Sequence, residues 1–264
     1  MTDIQASQAQ AAQIVEEPSL SNLRVALIAI TKHGAKQVGA LAPALPNTHV
    51  LVSQKVAAEL GKVPNTVNIY SGALKDEIPA LFENYDQLVF FVSLGAVVRL
   101  IAPHLKTKDE DPGVLVVDDA GDFVIPVLSG HIGGANACSE QLADLLGAKA
   151  VLTTASDVGK TIPVDILGRG LGWKLEAPKI NVTRVSADVV NGELIAFVQE
   201  TGSKHWWTRP TPLPENIHLF DNFSDVDFQK YKSVLWVTNA VVEENLWTDL
   251  KERLIVYRPP QDQT

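Results

Sequence analysis

Three short segments carry residue types that could do chemistry: Thr31-Lys32-His33-Gly34, Ser93-Leu94-Gly95-Ala96 and Ser129-Gly130-His131-Ile132-Gly133-Gly134-Ala135-Asn136. Each follows an apolar run that reads as a strand and precedes a run that reads as a helix. Each therefore marks a helix N-terminus, where unpaired N–H groups attract anions. In the third segment Gly130, Gly133 and Gly134 would let a ligand approach the backbone closely. His131 stands among them, and imidazole is the side chain that ordinarily changes charge near neutral pH. It could act as a general base, as a donor to a carboxylate, or as a ligand to a metal carried by a substrate. Asn136 either meets the same ligand or caps the turn. Arg99 sits early in its helix, where a cation gains nothing from the helix dipole. A carboxylate ligand would explain it, together with Ser93 and Gly95. Thr153 and Thr154, with Asp157 behind them, end the last apolar run; their hydroxyls could hold a ligand or cap the next segment.

Other chemistries are disfavoured. The glycine segment lacks the Lys-Ser or Lys-Thr pair of a P-loop, and its glycines have the wrong spacing for a dinucleotide fingerprint. A net charge of −9 argues against a nucleic-acid partner. One cysteine, Cys138, excludes an intramolecular disulfide and a cysteine-rich zinc site. No apolar run approaches the roughly 20 residues of a membrane span. The N-terminus lacks the basic start and apolar core of a signal peptide, so the expected location is the cytoplasm.

The elements that must position these residues follow from periodicity. Residues 1–21 are rich in Gln and Ala and read as a mobile tail. Arg24 to Ile30, His49 to Val52, Thr66 to Ile69 and Gln87 to Val92 read as strands, as do Val114 to Val117, Phe123 to Val127 and Ala150 to Thr153. Helical runs lie between most of them; Leu74, Ile78, Leu81 and Phe82 share one face, and Ala135, Cys138, Leu142 and Leu145 another. Asp118 to Asp122 has turn composition. The alternation predicts an α/β domain over 22–160 with a doubly wound, mainly parallel sheet. Ligands of such sheets bind at the carboxyl ends of the strands, so the polar segments are expected to converge there. After about residue 160 the pattern changes. Val182 to Val190, Asn191-Gly192 and Glu193 to Val198 read as a hairpin. Ser233 to Val237 and Arg253 to Tyr257 read as strands, and 202–216 as a loop in which Trp206 and Trp207 are either a plug or a ligand wall. A smaller α+β domain is expected over 161–260.

Several of these strings resemble the CbiG family, the cobalt-precorrin-5A hydrolases of anaerobic cobalamin biosynthesis. The runs are Leu94 to Leu105, Lys108 to Pro112, Val114 to Asp118, Val127 to Asn136 and Thr153 to Asp157, the last with Ser156 where the family pattern has Thr. The likeness is dense over 23–160 and looser through Pro163-Val164-Asp165. It implies a polycarboxylate cobalt-tetrapyrrole substrate whose δ-lactone is opened by water, with acetaldehyde leaving to give cobalt-precorrin-5B. On that reading His131 activates the water and the Gly133 and Gly134 N–H groups hold the oxyanion. Ser93, Gly95, Arg99, Ser129, Gly130, Asn136, Thr153 and Thr154 join those two glycines in binding substrate. The cobalt belongs to the substrate, so no cofactor and no protein-bound metal is expected. Family members commonly carry a third, C-terminal domain with a glycine-rich motif that is not found before Thr264. The resemblance therefore covers the N-terminal and central domains. A separate polypeptide with the third domain, or another enzyme of the cobalamin pathway, is a candidate partner, and the alternative activity is a corrinoid-binding module that depends on that separate domain.

Overall fold

The structure, a computed structural model, describes residues 18–261. The chain divides into two compact units, one ending at Val158 and one beginning at Gly159. The tail expected over 1–21 lies outside the described residues up to 17. Its last residues do not fit the expectation: Leu20 is buried in the core, and its N–H donates to Gln141 Oε1 at 3.0 Å.

In the first unit the order is β1 (Val25–Ala29), α1 (Lys32–Leu41), β2 (His49–Ser53), β3 (Thr66–Tyr70), α2 (Ile78–Asn84), β4 (Gln87–Phe91) and α3 (Leu94–Ile101). It continues through β5 (Gly113–Val117), β6 (Phe123–Leu128), α4 (Ala135–Leu146), β7 (Lys149–Ala150) and α5 (Ala155–Val158). The seven strands form one sheet in the order β3-β2-β1-β4-β5-β6-β7. Side chains alternate across it, as a period of two requires. Val25, Leu27 and Ala29 of β1 face a core shared with Ala35 and Val38 of α1 and Cys138 and Leu142 of α4. Ala26 and Ile28 face the other core, with Ile78 of α2 and Val97 and Ile101 of α3. Both faces are covered, which is why these strands read as continuous apolar runs.

Strands β1 to β5 run parallel, but β6 pairs antiparallel with β5, and β7 follows β6. The tight turn Asp118 to Asp122 causes the reversal: Asp118 Oδ1 accepts from Phe123 N at 2.7 Å, and the Gly121 N–H donates to the Asp118 carbonyl. The carboxyl ends of β6 and β7 therefore lie at the edge where β1 to β5 begin.

In the second unit β8 (Lys174–Glu176) and α6 (Lys179–Val190) precede β9 (Ile195–Gln199), β10 (Ile217–Phe220), β11 (Ser233–Val237), α7 (Glu244–Asp249) and β12 (Leu254–Arg258). They build a smaller sheet in the order β10-β9-β11-β12-β8, parallel except for β8 at one margin. The expected hairpin is absent: Val182 to Val190 belongs to α6. Its β-branched residues favour a strand by propensity, but Asn181, Val185 and Val189 fall on one buried helical side. Gly192, at φ +74°, lies just beyond the helix end. Trp206 and Trp207 plug the core. Trp206 stacks on Phe197 with ring centroids 4.2 Å apart and donates from Nε1 to Gln199 Oε1, while Trp207 Nε1 donates to the Thr211 carbonyl.

Cys138 lies on the buried face of α4, and burial pushes its thiol up to about 12. A thiolate is the reactive form. A disulfide reagent at neutral pH is therefore expected to leave the native chain unlabelled and to label it stoichiometrically in denaturant. Rapid labelling of the native chain would contradict this packing.

Among the described residues no helix is long and apolar enough to cross a membrane. Nor does any group of three or more His, Cys, Asp or Glu side chains there come together as a metal site.

Candidate active site

The chain reversal at β6 sorts the expected site residues into two sets. Ser93, Gly95 and Arg99 lie at the edge where β1, β4 and β5 end. Ser129, Gly130, His131, Gly133, Gly134, Asn136, Thr153 and Thr154 lie at the opposite edge, where those strands begin. A five-residue strand spans about 17 Å, so Arg99 and His131 cannot grip the same group. The expected convergence of all these segments on one edge is thereby corrected.

At the first edge Arg99 turns back on its own helix. Its guanidinium donates to the Gly95 carbonyl at 2.7 Å and is otherwise exposed. Ser93 precedes α3 without a side-chain cap. Beside them Thr31 caps α1 by accepting from the Gly34 N–H, and His33 lies 3.3 Å from the Asp119 carboxylate.

The second edge is far more constrained. The segment from Ser129 to Asn136 folds over the starts of β4 and β5. Gln87, fully buried, props it from below by donating from Nε2 to the Gly133 carbonyl. Ser129 takes a positive φ of 54° and donates from Oγ to the Asp111 carbonyl. Backbone strain of this kind persists only where the surroundings hold it. Gly130 has no Cβ because Asn136 Oδ1 would lie 2.6 Å from one. The Ala135 and Asn136 N–H groups donate to the Ser129 and Gly130 carbonyls, which satisfies the first donors of α4. The Gly134 N–H donates to the His131 carbonyl at 3.1 Å. That bond corrects the expected oxyanion site, because Gly134 is already committed; Gly133 is the remaining member of the pair.

Asn136 is also spent inside the protein. Its Nδ2 donates to Thr154 Oγ1 at 2.7 Å and to Asp157 Oδ2 at 2.8 Å, and the residue is 7% exposed. The same Asp157 oxygen lies 3.3 Å from His131 Nε2, and Ser156 Oγ lies 3.2 Å from that nitrogen. The His131 and Asp157 side chains are each 14% exposed, so most of each is buried while part still meets solvent. Asn136, Thr154 and Asp157 thus form a polar bracket behind one imidazole. Thr153 is exposed beside it.

Cations border this edge too. Lys106 and Lys108 precede β5 in a turn closed by the Asp111 carboxylate on the Lys106 N–H at 3.0 Å. Both lysines are exposed. Nearby, hydrogen bonds from Arg24 hold the Asp86 carboxyl below the usual carboxylate range and tie the start of β4 to that of β1. Gln87 was not legible as part of the site, since a glutamine opening a strand has no distinctive pattern. Asp157 was legible as a polar residue at a strand end, but its partner was not.

The arrangement can take a proton at an oriented imidazole and attract carboxylates through nearby ammonium groups. Arg99 lies outside it. Arg99→Ala is therefore expected to leave kcat unchanged and to raise KM by no more than about tenfold, the low end of a charge-assisted hydrogen bond. Steady-state kinetics check this, and a drop in kcat would return Arg99 to the reacting centre.

Residues 76–157 match the family model described as Cobalamin synthesis G N-terminal, and residues 162–259 match that described as Cobalamin biosynthesis central region. The chain is 44% identical over 234 residues to a cobalt-precorrin-5A hydrolase of Priestia megaterium, a match covering 89% of this chain and 62% of that protein. It is 36% identical over 183 residues to a cobalt-precorrin-5A hydrolase of Salmonella typhimurium, covering 69% of this chain and 48% of that protein. The chain thus spans less than two thirds of the length of either relative.

Proposed function

The chain belongs to the CbiG family of cobalamin biosynthesis, and from that premise we propose that it hydrolyses the δ-lactone of cobalt-precorrin-5A, releasing acetaldehyde and giving cobalt-precorrin-5B. The observation that carries the reading is the imidazole of His131, bracketed by Asp157 and Asn136 on the glycine segment that the family likeness spans.

The lactone-opening step draws on this edge. Lactone opening needs a base for water and a donor for the tetrahedral oxyanion. His131 takes a proton from water as the hydroxide adds to the lactone carbonyl carbon. The bond from that carbon to the ring oxygen then breaks, and the leaving alkoxide takes the proton back from the imidazolium. The C–C bond that joins this carbinol carbon to the macrocycle then breaks: the hydroxyl gives up its proton to solvent, the carbon leaves as acetaldehyde, and the electron pair of the broken bond stays on the macrocycle. The Gly133 N–H is the proposed donor to the oxyanion. Lys106 and Lys108 meet the substrate's carboxylates, the task the sequence assigns to Arg99, and Thr153 is exposed next to the Thr154 that accepts from Asn136. Cobalt arrives within the substrate and needs no ligand from the protein. The reaction belongs to the cytoplasm.

The test is to mix the purified chain with cobalt-precorrin-5A and follow the corrinoid by mass spectrometry. Conversion to cobalt-precorrin-5B is the expected result. Tight binding without conversion would replace this reading with that of a corrinoid-holding module working with a second polypeptide.

A further inference from the structure

We infer that Asp157 is a positioning residue for His131, holding the imidazole in the tautomer whose proton is on Nε2, and that Asn136 holds Asp157 in place to do so. The inference rests on the proposed hydrolysis for its kinetic consequence, but not for its structural one.

Asp157 Oδ2 faces His131 Nε2 at 3.3 Å and accepts from Asn136 Nδ2 at 2.8 Å. A carboxylate only accepts hydrogen bonds, and an amide nitrogen only donates. The contact between oxygen and ring nitrogen is attractive only if the nitrogen carries the proton. The neutral ring then keeps its lone pair on Nδ1. Ser156 Oγ, 3.2 Å from Nε2, can serve as donor or acceptor and imposes no tautomer of its own. Choice of tautomer by the partner of one ring nitrogen is general for histidine.

The bracket is rigid enough for this task. Asn136 is buried in the first turn of α4, and its amide reaches both Thr154 Oγ1 and Asp157. The Asp157 N–H and the Val158 N–H both donate to the Thr154 carbonyl at 3.0 Å, which closes the turn carrying the carboxylate. Two elements distant in sequence are thus fastened together behind one imidazole. A carboxylate and an imidazole are costly to bury without such partners.

Nitrogen-15 NMR of the ring reads this directly. In the wild-type chain the neutral His131 ring is expected to show the Nε2–H pattern, identified by its loss in His131→Ala. In Asp157→Asn the two tautomers should mix. With cobalt-precorrin-5A, Asp157→Asn should lower kcat by as much as roughly 10⁴-fold, the loss seen when a histidine base loses its orienting carboxylate, with KM nearly unchanged. A wild-type ring with its proton on Nδ1 would overturn the inference whether or not any variant folds. So would an active wild type whose Asp157→Asn variant keeps kcat within about threefold. A wild type that converts no substrate would overturn the proposed function alone, and the tautomer would still decide the role of Asp157.

Discussion

His131→Ala is expected to fold normally and to lose lactone hydrolysis, with kcat falling roughly 10²–10⁴-fold, the usual worth of a general base. The fold should survive because the glycines and the strained Ser129, not the imidazole, set the path of the backbone. Asn136 also keeps Asp157 partnered once the ring is gone. The melting temperature should stay within about 2 °C of wild type, as for a substitution that opens no cavity and strands no charge. His131→Asn divides the possible roles further. An amide can hold a carboxylate but cannot take a proton from water, so the Asn variant should be as slow as Ala. Recovery of turnover with Asn would reduce His131 to a substrate ligand.

The second large effect is on stability. A Cβ at Gly133 would lie 2.5 Å from Ser129 Cβ and 2.8 Å from the Ser129 carbonyl oxygen. One at Gly134 would lie 2.4 Å from Pro18 Cβ, on a residue already at φ +81°. Neither neighbour is the far end of a flexible side chain, so the backbone itself must move. Gly133→Ala and Gly134→Ala are each expected to cost about 3 kcal/mol, lowering the melting temperature on the order of 10 °C. Both should abolish turnover by displacing His131. Gly147→Ala is the control: that glycine has φ +66° but nothing within 4 Å of an added Cβ. It should cost about 1 kcal/mol and leave activity intact. Thermal melts and turnover of the three variants decide the matter. Equal losses at Gly134 and Gly147, with none at Gly133, would mean that positive φ matters rather than the crowding of the loop.

Much of the fold was legible because both faces of the first sheet are covered. Strands such as Val25–Ala29 and Gln87–Phe91 then stand out as apolar runs, and α4 declares itself through Ala135, Cys138 and Leu142 on one side. The glycine segment was legible too, because few structural needs explain three glycines around a histidine. Its position in the fold was not. A strand's direction is not written in its composition, and the rule about carboxyl ends presumes a parallel neighbour. The signal was nonetheless present in Asp118 to Asp122: a turn that short forces its two strands to run oppositely, which carries the segment to the other edge. Helix α6 failed for a different reason. Val182, Val185 and Val189 have helical spacing, but β-branched propensity and an Asn-Gly pair outweighed it; burial against the second sheet settles the contest in favour of the helix. The contacts of Asn136 with Thr154 and Asp157 join residues about twenty positions apart, and no local pattern announces a tertiary hydrogen bond.

Hydrolysis takes place, on this account, at the edge holding His131 and not at the edge holding Arg99. Acetaldehyde release from cobalt-precorrin-5A in a single turnover, measured side by side for the wild type, His131→Ala and Arg99→Ala at saturating enzyme, tests it most directly. One acetaldehyde per substrate is expected at the same rate for wild type and Arg99→Ala, and none on that timescale for His131→Ala even though it binds the corrinoid. Equal rates for wild type and His131→Ala, or a loss confined to Arg99→Ala, would contradict it.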